Sequence, residues 1–174
     1  MKSQSVQIKP QDILLLLKIV SDGNQSWSQK PMASALGLSQ SEVSESVTRS
    51  KYAGLLGNQG KLVMKLALME FLQYGLRYVF PQRPGAVVRG VPTAHSVSPL
   101  KEHIQSTEDY VWPYGKGTVR GHSIIPLYPS VPEAALKDEQ LHQLLGLVDA
   151  LRVGRAREKQ FAIVEIKKRF GLEE

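Results

Sequence analysis

The chain has 174 residues, 42% of them hydrophobic, enough to bury a real core in one domain or in one domain with a small appendage. It contains no cysteine, which excludes disulfides, thiolate nucleophiles and the common structural zinc sites and fits a reducing compartment. Lysine and arginine outnumber the acids by 22 to 16, giving a net charge of +6; residues 61–100 carry Lys61, Lys65, Arg77, Arg83 and Arg89 against one acid, Glu70, a balance that suits a polyanionic partner.

Pro10 stands where a helix tolerates a missing amide, and Ile13, Leu14, Leu16, Leu17 and Val20 behind it give a first helix with a broad apolar face. Asp22, Gly23 and Asn24 end it. Ser28 is placed to cap a short second helix reaching Leu36, with Pro31 in its first turn. Gly37 then allows a sharp turn. Ser39 and Glu42 have the spacing of a capping box, so another helix is expected to open at Ser39 with Val43 and Val47 turned inward.

A helix, a short glycine-containing turn and a second helix make a helix-turn-helix, and the small and apolar residues its packing needs are Ala33, Leu36, Gly37, Leu38, Val43 and Val47. The stretch Met32-Ala-Ser-Ala-Leu-Gly-Leu-Ser-Gln-Ser-Glu-Val-Ser-Glu-Ser-Val-Thr-Arg49, followed by Ala53-Gly-Leu-Leu56, closely resembles the DNA-binding segment of bacterial regulators of the MarR type. The resemblance implies double-stranded DNA as partner, with the exposed face of the second motif helix in the major groove. Gln40, Ser41, Ser44, Glu45 and Thr48 then face base edges, where Gln pairs with adenine and Glu accepts from cytosine. Lys30, Arg49 and Lys51 suit phosphates. The competing reading is a helical hairpin that only packs.

After Gly57-Asn-Gln-Gly60 the sequence departs from the winged pattern. Leu62, Leu66, Met69, Leu72 and Leu76 recur at helical steps up to Pro81, so a helix over residues 61–80 is expected in place of the two strands of a wing. It serves as a core support or as a dimerisation helix.

Residues 84–132 turn to proline, glycine and β-branched residues, with a near-repeat, Val87-Val-Arg-Gly-Val-Pro92 and Thr118-Val-Arg-Gly-His-Ser123. Residues 86–91 and 118–127 are expected to pair as a small sheet, with Tyr110-Val-Trp-Pro-Tyr-Gly-Lys-Gly117 as a turn-rich connection. Arg89 and Arg120 are candidates for a ligand or partner site, against the plainer reading of structural arginines bonded to carbonyls.

From about Pro132 the chain returns to helix: Leu141, Leu144, Leu145, Val148 and Leu151 form one stripe, and Phe161, Ile163, Ile166 and Phe170 another after Gly154. The cluster Arg152, Arg155, Arg157 and Lys159 is balanced by nearby acids and reads as a solvated charged surface. The middle and end, including Arg89-Gly-Val-Pro-Thr-Ala94, Ser130-Val-Pro-Glu-Ala134 and Val148-Asp-Ala-Leu-Arg-Val-Gly-Arg-Ala-Arg-Glu158, look similar to a widespread, poorly characterised group of bacterial proteins that open on a helix-turn-helix. This resemblance implies a whole-chain family and brings no catalytic residues.

The expected architecture is therefore mainly α with a small β element (α+β). It comprises a helix-turn-helix bundle over residues 1–60, a linking or dimerisation helix over 61–80, a Pro/Gly-rich segment with short strands over 81–132 and a helical pair over 133–174. The expected function is a homodimeric, sequence-specific repressor; the alternative is an antitoxin or other subunit that binds a partner protein. His95, His103, His122 and His142 are scattered, and there is no phosphate loop or dinucleotide fingerprint, so no enzyme activity, cofactor or metal is expected. The longest apolar run, residues 13–17, is too short for a bilayer and residues 1–10 lack a secretory h-region, which points to the cytoplasm and away from membranes.

Overall fold

Five consecutive side chains, Ile13, Leu14, Leu15, Leu16 and Leu17, have no solvent exposure, so the first helix, α1 (Pro10–Ser21), is enclosed on all sides rather than buried along one face. The computed structural model describes residues 6–173. α1 lies between α3 (Gln40–Tyr52) and α7 (Glu139–Val153), and one continuous apolar core runs from Ile13 to Phe170. Each wholly buried leucine or isoleucine contributes about 1.5–3 kcal/mol, so this run of five is a main source of cohesion. The chain is mainly helical with one small three-stranded β element.

α2 (Gln29–Leu36) is followed by Gly37 at φ 66°, a left-handed turn that costs glycine little. Three residues later α3 begins, its N-cap Ser39 accepting the Glu42 amide at 3.0 Å. Only half of the expected capping box forms, because the Glu42 carboxylate receives Gln11 from α1 at 3.4 Å. Ser28 occupies the N-cap position of α2 in extended backbone, but its hydroxyl makes no capping bond.

Residues 61–64 are not helical, contrary to the periodicity. Leu56 pairs antiparallel with Val63, and the Gly57 amide donates to Leu62 at 2.8 Å while the Met64 amide donates to Leu55 at 2.9 Å. The result is a short hairpin around Gly57-Asn-Gln-Gly60, a stub of a wing where none was expected. Its returning strand is pinned from the α1–α2 connection: Asn24 holds both the amide and the carbonyl of Val63, at 2.8 and 3.3 Å. Trp27 donates to the Lys61 carbonyl at 2.8 Å, and the Lys61 ammonium returns to the Trp27 carbonyl at 2.6 Å, over the indole ring. These partners lie more than thirty residues away in the chain, which is why local periodicity misreads the segment.

The helical part that follows is two pieces, α4 (Lys65–Tyr74) and α5 (Leu76–Val79), broken at Gly75, rather than one long helix. Leu68, Met69, Leu72 and Leu76 enter the core, whereas Leu62 and Leu66, expected inside, are 49% and 74% exposed. Val63 and Leu68 take the inward places instead.

The strands β1 (Val87–Pro92), β2 (Tyr110–Pro113) and β3 (Val119–Ser123) close on one another as a miniature barrel. β1 runs antiparallel to both others, and β2 pairs parallel with β3. The expected pairing of the two Val-Arg-Gly copies is present, but Tyr110-Val-Trp-Pro113, read as a connection, is itself a strand. Trp112 locks it to the helices by donating to the buried Asp149 carboxylate at 2.7 Å, an acceptor shared with Thr93 at 2.6 Å.

α6 (Val131–Leu136), α7 and α8 (Ala156–Arg169) complete the chain. The stripe Leu141, Leu144, Leu145, Val148 and Leu151 is buried as the spacing predicts; of the second stripe, Ile166 on α8 and Phe170 at its C-cap are buried, while Phe161 and Ile163 are half-buried. Arg152 leaves the expected surface cluster: it is 8% exposed, paired with Asp149 at 2.9 Å and bonded to the carbonyls of Phe80 and Ile125. Among the described residues no helix is long and apolar enough to cross a membrane.

Candidate nucleic-acid interface

α3 has two chemically distinct sides. Val43, Ser46, Arg49 and Ser50 are buried, while Gln40, Ser41, Ser44, Glu45, Thr48, Lys51 and Tyr52 are exposed. Ser41, Ser44, Glu45, Thr48 and Tyr52 follow three- and four-residue steps and so share one face of the helix. Tyr52, 75% exposed at the end of that face, is a member that spacing alone did not single out. The Thr48 hydroxyl donates to the Ser44 carbonyl at 3.2 Å, which leaves its oxygen free to accept.

Arg49 does not reach outward, and its expected role on phosphate is corrected. It is 6% exposed, and its guanidinium grips the wholly buried Asp12 of α1 through Nε at 2.9 Å and a second nitrogen at 2.8 Å. Ser46 donates to the same carboxylate at 2.6 Å. The Asp12 hydrogen bonds hold the Arg49 pKa above its already high ordinary value, so the ion is permanent. This clamp fixes the rotation of α3 about its own axis against α1, and with it which residues face out. Glu45, 3.8 Å from the far edge of Arg49, keeps its carboxylate exposed.

Lys30 and Lys51 are exposed and in no ion pair among the described residues. The wing stub adds no free cation, since Lys61 is committed to Trp27; its tip, Asn58 and Gln59, is uncharged. The surface around α3 is therefore polar and only weakly basic.

Arg89 and Arg120, the other two sequence candidates, are brought together. They are direct partners across β1 and β3, so both guanidiniums stand on one face, exposed. In the same register Val88 opposes Gly121 and Val119 opposes Gly90, so the two near-repeats meet about a local two-fold axis.

An open polar cleft of about 600 Å³ is lined by His95, Glu108, Tyr110, Arg155 and Glu158 among others. His95, His122 and His142 each have one ring nitrogen on a backbone carbonyl, of Glu108, Gly85 and Pro92 respectively. Among the described residues no three His, Asp or Glu side chains are grouped to hold a metal ion. Compared with protein-family models, curated proteins and solved structures, the chain matches none.

Proposed function

We propose that the chain is a sequence-specific DNA-binding regulator, acting as a homodimeric repressor, with α3 as the reading helix. The observation that carries this is the composition of the exposed face of α3. Ser41, Ser44 and Thr48 are poor helix formers, each costing roughly 0.5 kcal/mol against alanine, and nothing in the fold is gained by exposing them there. A merely solvated face is better served by Lys, Glu and Gln. Short hydroxyl side chains do suit close approach to base edges, where both donors and acceptors are read.

Glu45 gives the reading a signed test. A carboxylate in the groove repels every phosphate but accepts from cytosine. Glu45→Ala is therefore expected to strengthen binding to scrambled duplex and weaken binding to the chain's own upstream DNA. Thr48→Ala is expected to lower the ratio between the two by roughly five- to tenfold, with its melting temperature unchanged. Fluorescence anisotropy titrations on both duplexes read these effects directly. If the wild type binds neither near physiological salt, the motif only packs and a protein partner becomes the object of search.

One short helix reads few base pairs, so specificity calls for two copies on an inverted repeat with half-sites about one helical turn, roughly 34 Å, apart. The surface that supports a dimer is the outward side of α4 and α5, where Leu66 and Tyr74, two helical turns apart on α4, and Tyr78 on α5 are 74%, 67% and 73% exposed. Leu66→Glu is expected to convert a dimer to a monomer in light scattering and to weaken operator binding more than tenfold at nanomolar protein. A wild-type chain that is already monomeric removes the dimer from the proposal.

A further inference from the structure

With Arg49 withdrawn into the core, α3 and its surroundings hold few cations for the duplex backbone: Lys30 and Lys51, against the acids Glu42 and Glu45. Phosphate contacts usually supply much of the affinity of a DNA-binding protein, so a chain carrying +6 needs them elsewhere. The barrel has the arrangement that such a contact requires.

Arg89 and Arg120 sit directly opposite one another, and like charges directly opposite on a sheet repel. Neither is in an ion pair among the described residues. The closure of the barrel enforces this adjacency. Gly90 and Gly121 are the inward residues next to the two arginines, and a Cβ on Gly90 would lie 1.9 Å from the Trp112 carbonyl oxygen. Gly121 likewise abuts the Asp109 carbonyl at the start of β2, so both arginine-bearing strands are held against β2 and the register that opposes the charges is fixed by closure. Lys116 lies in the β2–β3 turn, two residues after Tyr114, and Gly117 beside it abuts the backbone of Gly90, the chain neighbour of Arg89. Lys116 is exposed and likewise in no ion pair among the described residues.

This cluster is connected to the helix-turn-helix by a short chain of contacts. The Tyr114 amide donates to the Arg89 carbonyl at 3.1 Å, and the Tyr114 hydroxyl reaches Glu133 of α6 at 3.4 Å. One turn earlier, the N-cap of α6, Ser130, lies against Gly37, in the turn between α2 and α3. The barrel is thus linked through α6 to the turn from which α3 opens at Ser39.

We propose that Arg89 and Arg120, flanked by Lys116, form a phosphodiester clamp that grips the DNA backbone beside the half-site read by α3. The proposal rests on the DNA-binding reading above. Two planar guanidiniums on one face match the non-bridging oxygens of a phosphate, and the shared anion turns their repulsion into attraction. The clamp carries no sequence information; it sets affinity and register.

The test is the salt dependence of binding by the intact protein, on upstream and scrambled duplexes, for wild type, the double variant Arg89→Gln with Arg120→Gln, and Thr48→Ala. The double variant is expected to weaken both duplexes about equally, by roughly tenfold, and to make the slope of log K against log salt shallower by about 1.8. Its preference for the upstream DNA stays. Arg89→Lys with Arg120→Lys keeps the slope, because the charges remain, while giving back only part of the affinity. Thr48→Ala does the opposite of the double variant, losing preference with its slope intact. If wild type binds and the double variant keeps both slope and affinity, the clamp is wrong while the reading helix stands. If wild type binds no duplex, both fall together.

Discussion

Asp12→Ala is expected to lower the stability of the fold by about 3–5 kcal/mol, on the order of 10 °C in melting temperature for a chain of this length. The aspartate is wholly buried and accepts four hydrogen bonds: from the Lys9 amide at 2.8 Å, Ser46 at 2.6 Å, and Arg49 at 2.9 and 2.8 Å. Its removal leaves a buried guanidinium with only the exposed Glu45 carboxylate, at 3.8 Å, as counter-charge, which costs far more than the pair itself contributes. Arg49→Ala has a similar origin but a different cost, because Asp12 retains Ser46 and the Lys9 amide. Arg49→Lys does not restore stability, since one ammonium cannot replace two in-plane donors. Exchanging both partners, Asp12→Leu with Arg49→Met, is expected to cost less than either of these changes alone, and urea denaturation of the double variant and its two single variants closes the cycle. The consequence for function is specific. Arg49→Ala loses DNA binding in step with its loss of fold, on all sequences; a variant that melts like wild type yet binds all DNA weakly would return Arg49 to the phosphates.

What could be read from the sequence, and what could not, divides by the distance over which the information is carried. Ala33, Leu36, Gly37, Leu38 and Val43 announce the helix-turn-helix because caps, a left-handed glycine and a helical period are local properties. Gln40, Ser41, Ser44, Glu45 and Thr48 follow as its outward face for the same reason. Arg49 shows where that logic ends. A charged residue near the end of a helix reads as solvated unless a partner is known, and Asp12 lies 37 residues away in another helix. The wing stub fails likewise: Leu62-Val63-Met64 is as acceptable to a helix as to a strand, and Asn24 and Trp27 decide the matter from a distance. In the barrel the sequence marks the two Val-Arg-Gly copies as paired strands, yet nothing local says that Arg89 falls directly opposite Arg120, or that Tyr110-Val-Trp-Pro113 completes the closure.

The glycines of those copies carry the second large effect. Gly90→Ala is expected to destabilise the chain by about 3 kcal/mol or more, because its new methyl group would lie 1.9 Å from the Trp112 carbonyl oxygen and 2.7 Å from its carbon. Backbone cannot swing aside as a flexible side chain can, so β2 must withdraw from β1. That withdrawal strains the bond from the Trp112 indole to Asp149, at 2.7 Å, and through Asp149 the buried Arg152. Gly121→Ala meets a similar obstacle, the Asp109 carbonyl oxygen at 2.5 Å. Gly115→Ala is the control: nothing lies within 4 Å of its Cβ, and it is expected to be neutral or slightly stabilising. Near-UV circular dichroism follows Trp112 in its buried site, and urea denaturation gives the cost. If Gly90→Ala melts with Gly115→Ala, the strands do not close as tightly as these distances require, and the enforced adjacency of Arg89 and Arg120 loses its basis. If Gly90→Ala is strongly destabilised while Arg89→Gln with Arg120→Gln melts like wild type, the glycines build the platform and the arginines are free to serve a partner outside the fold.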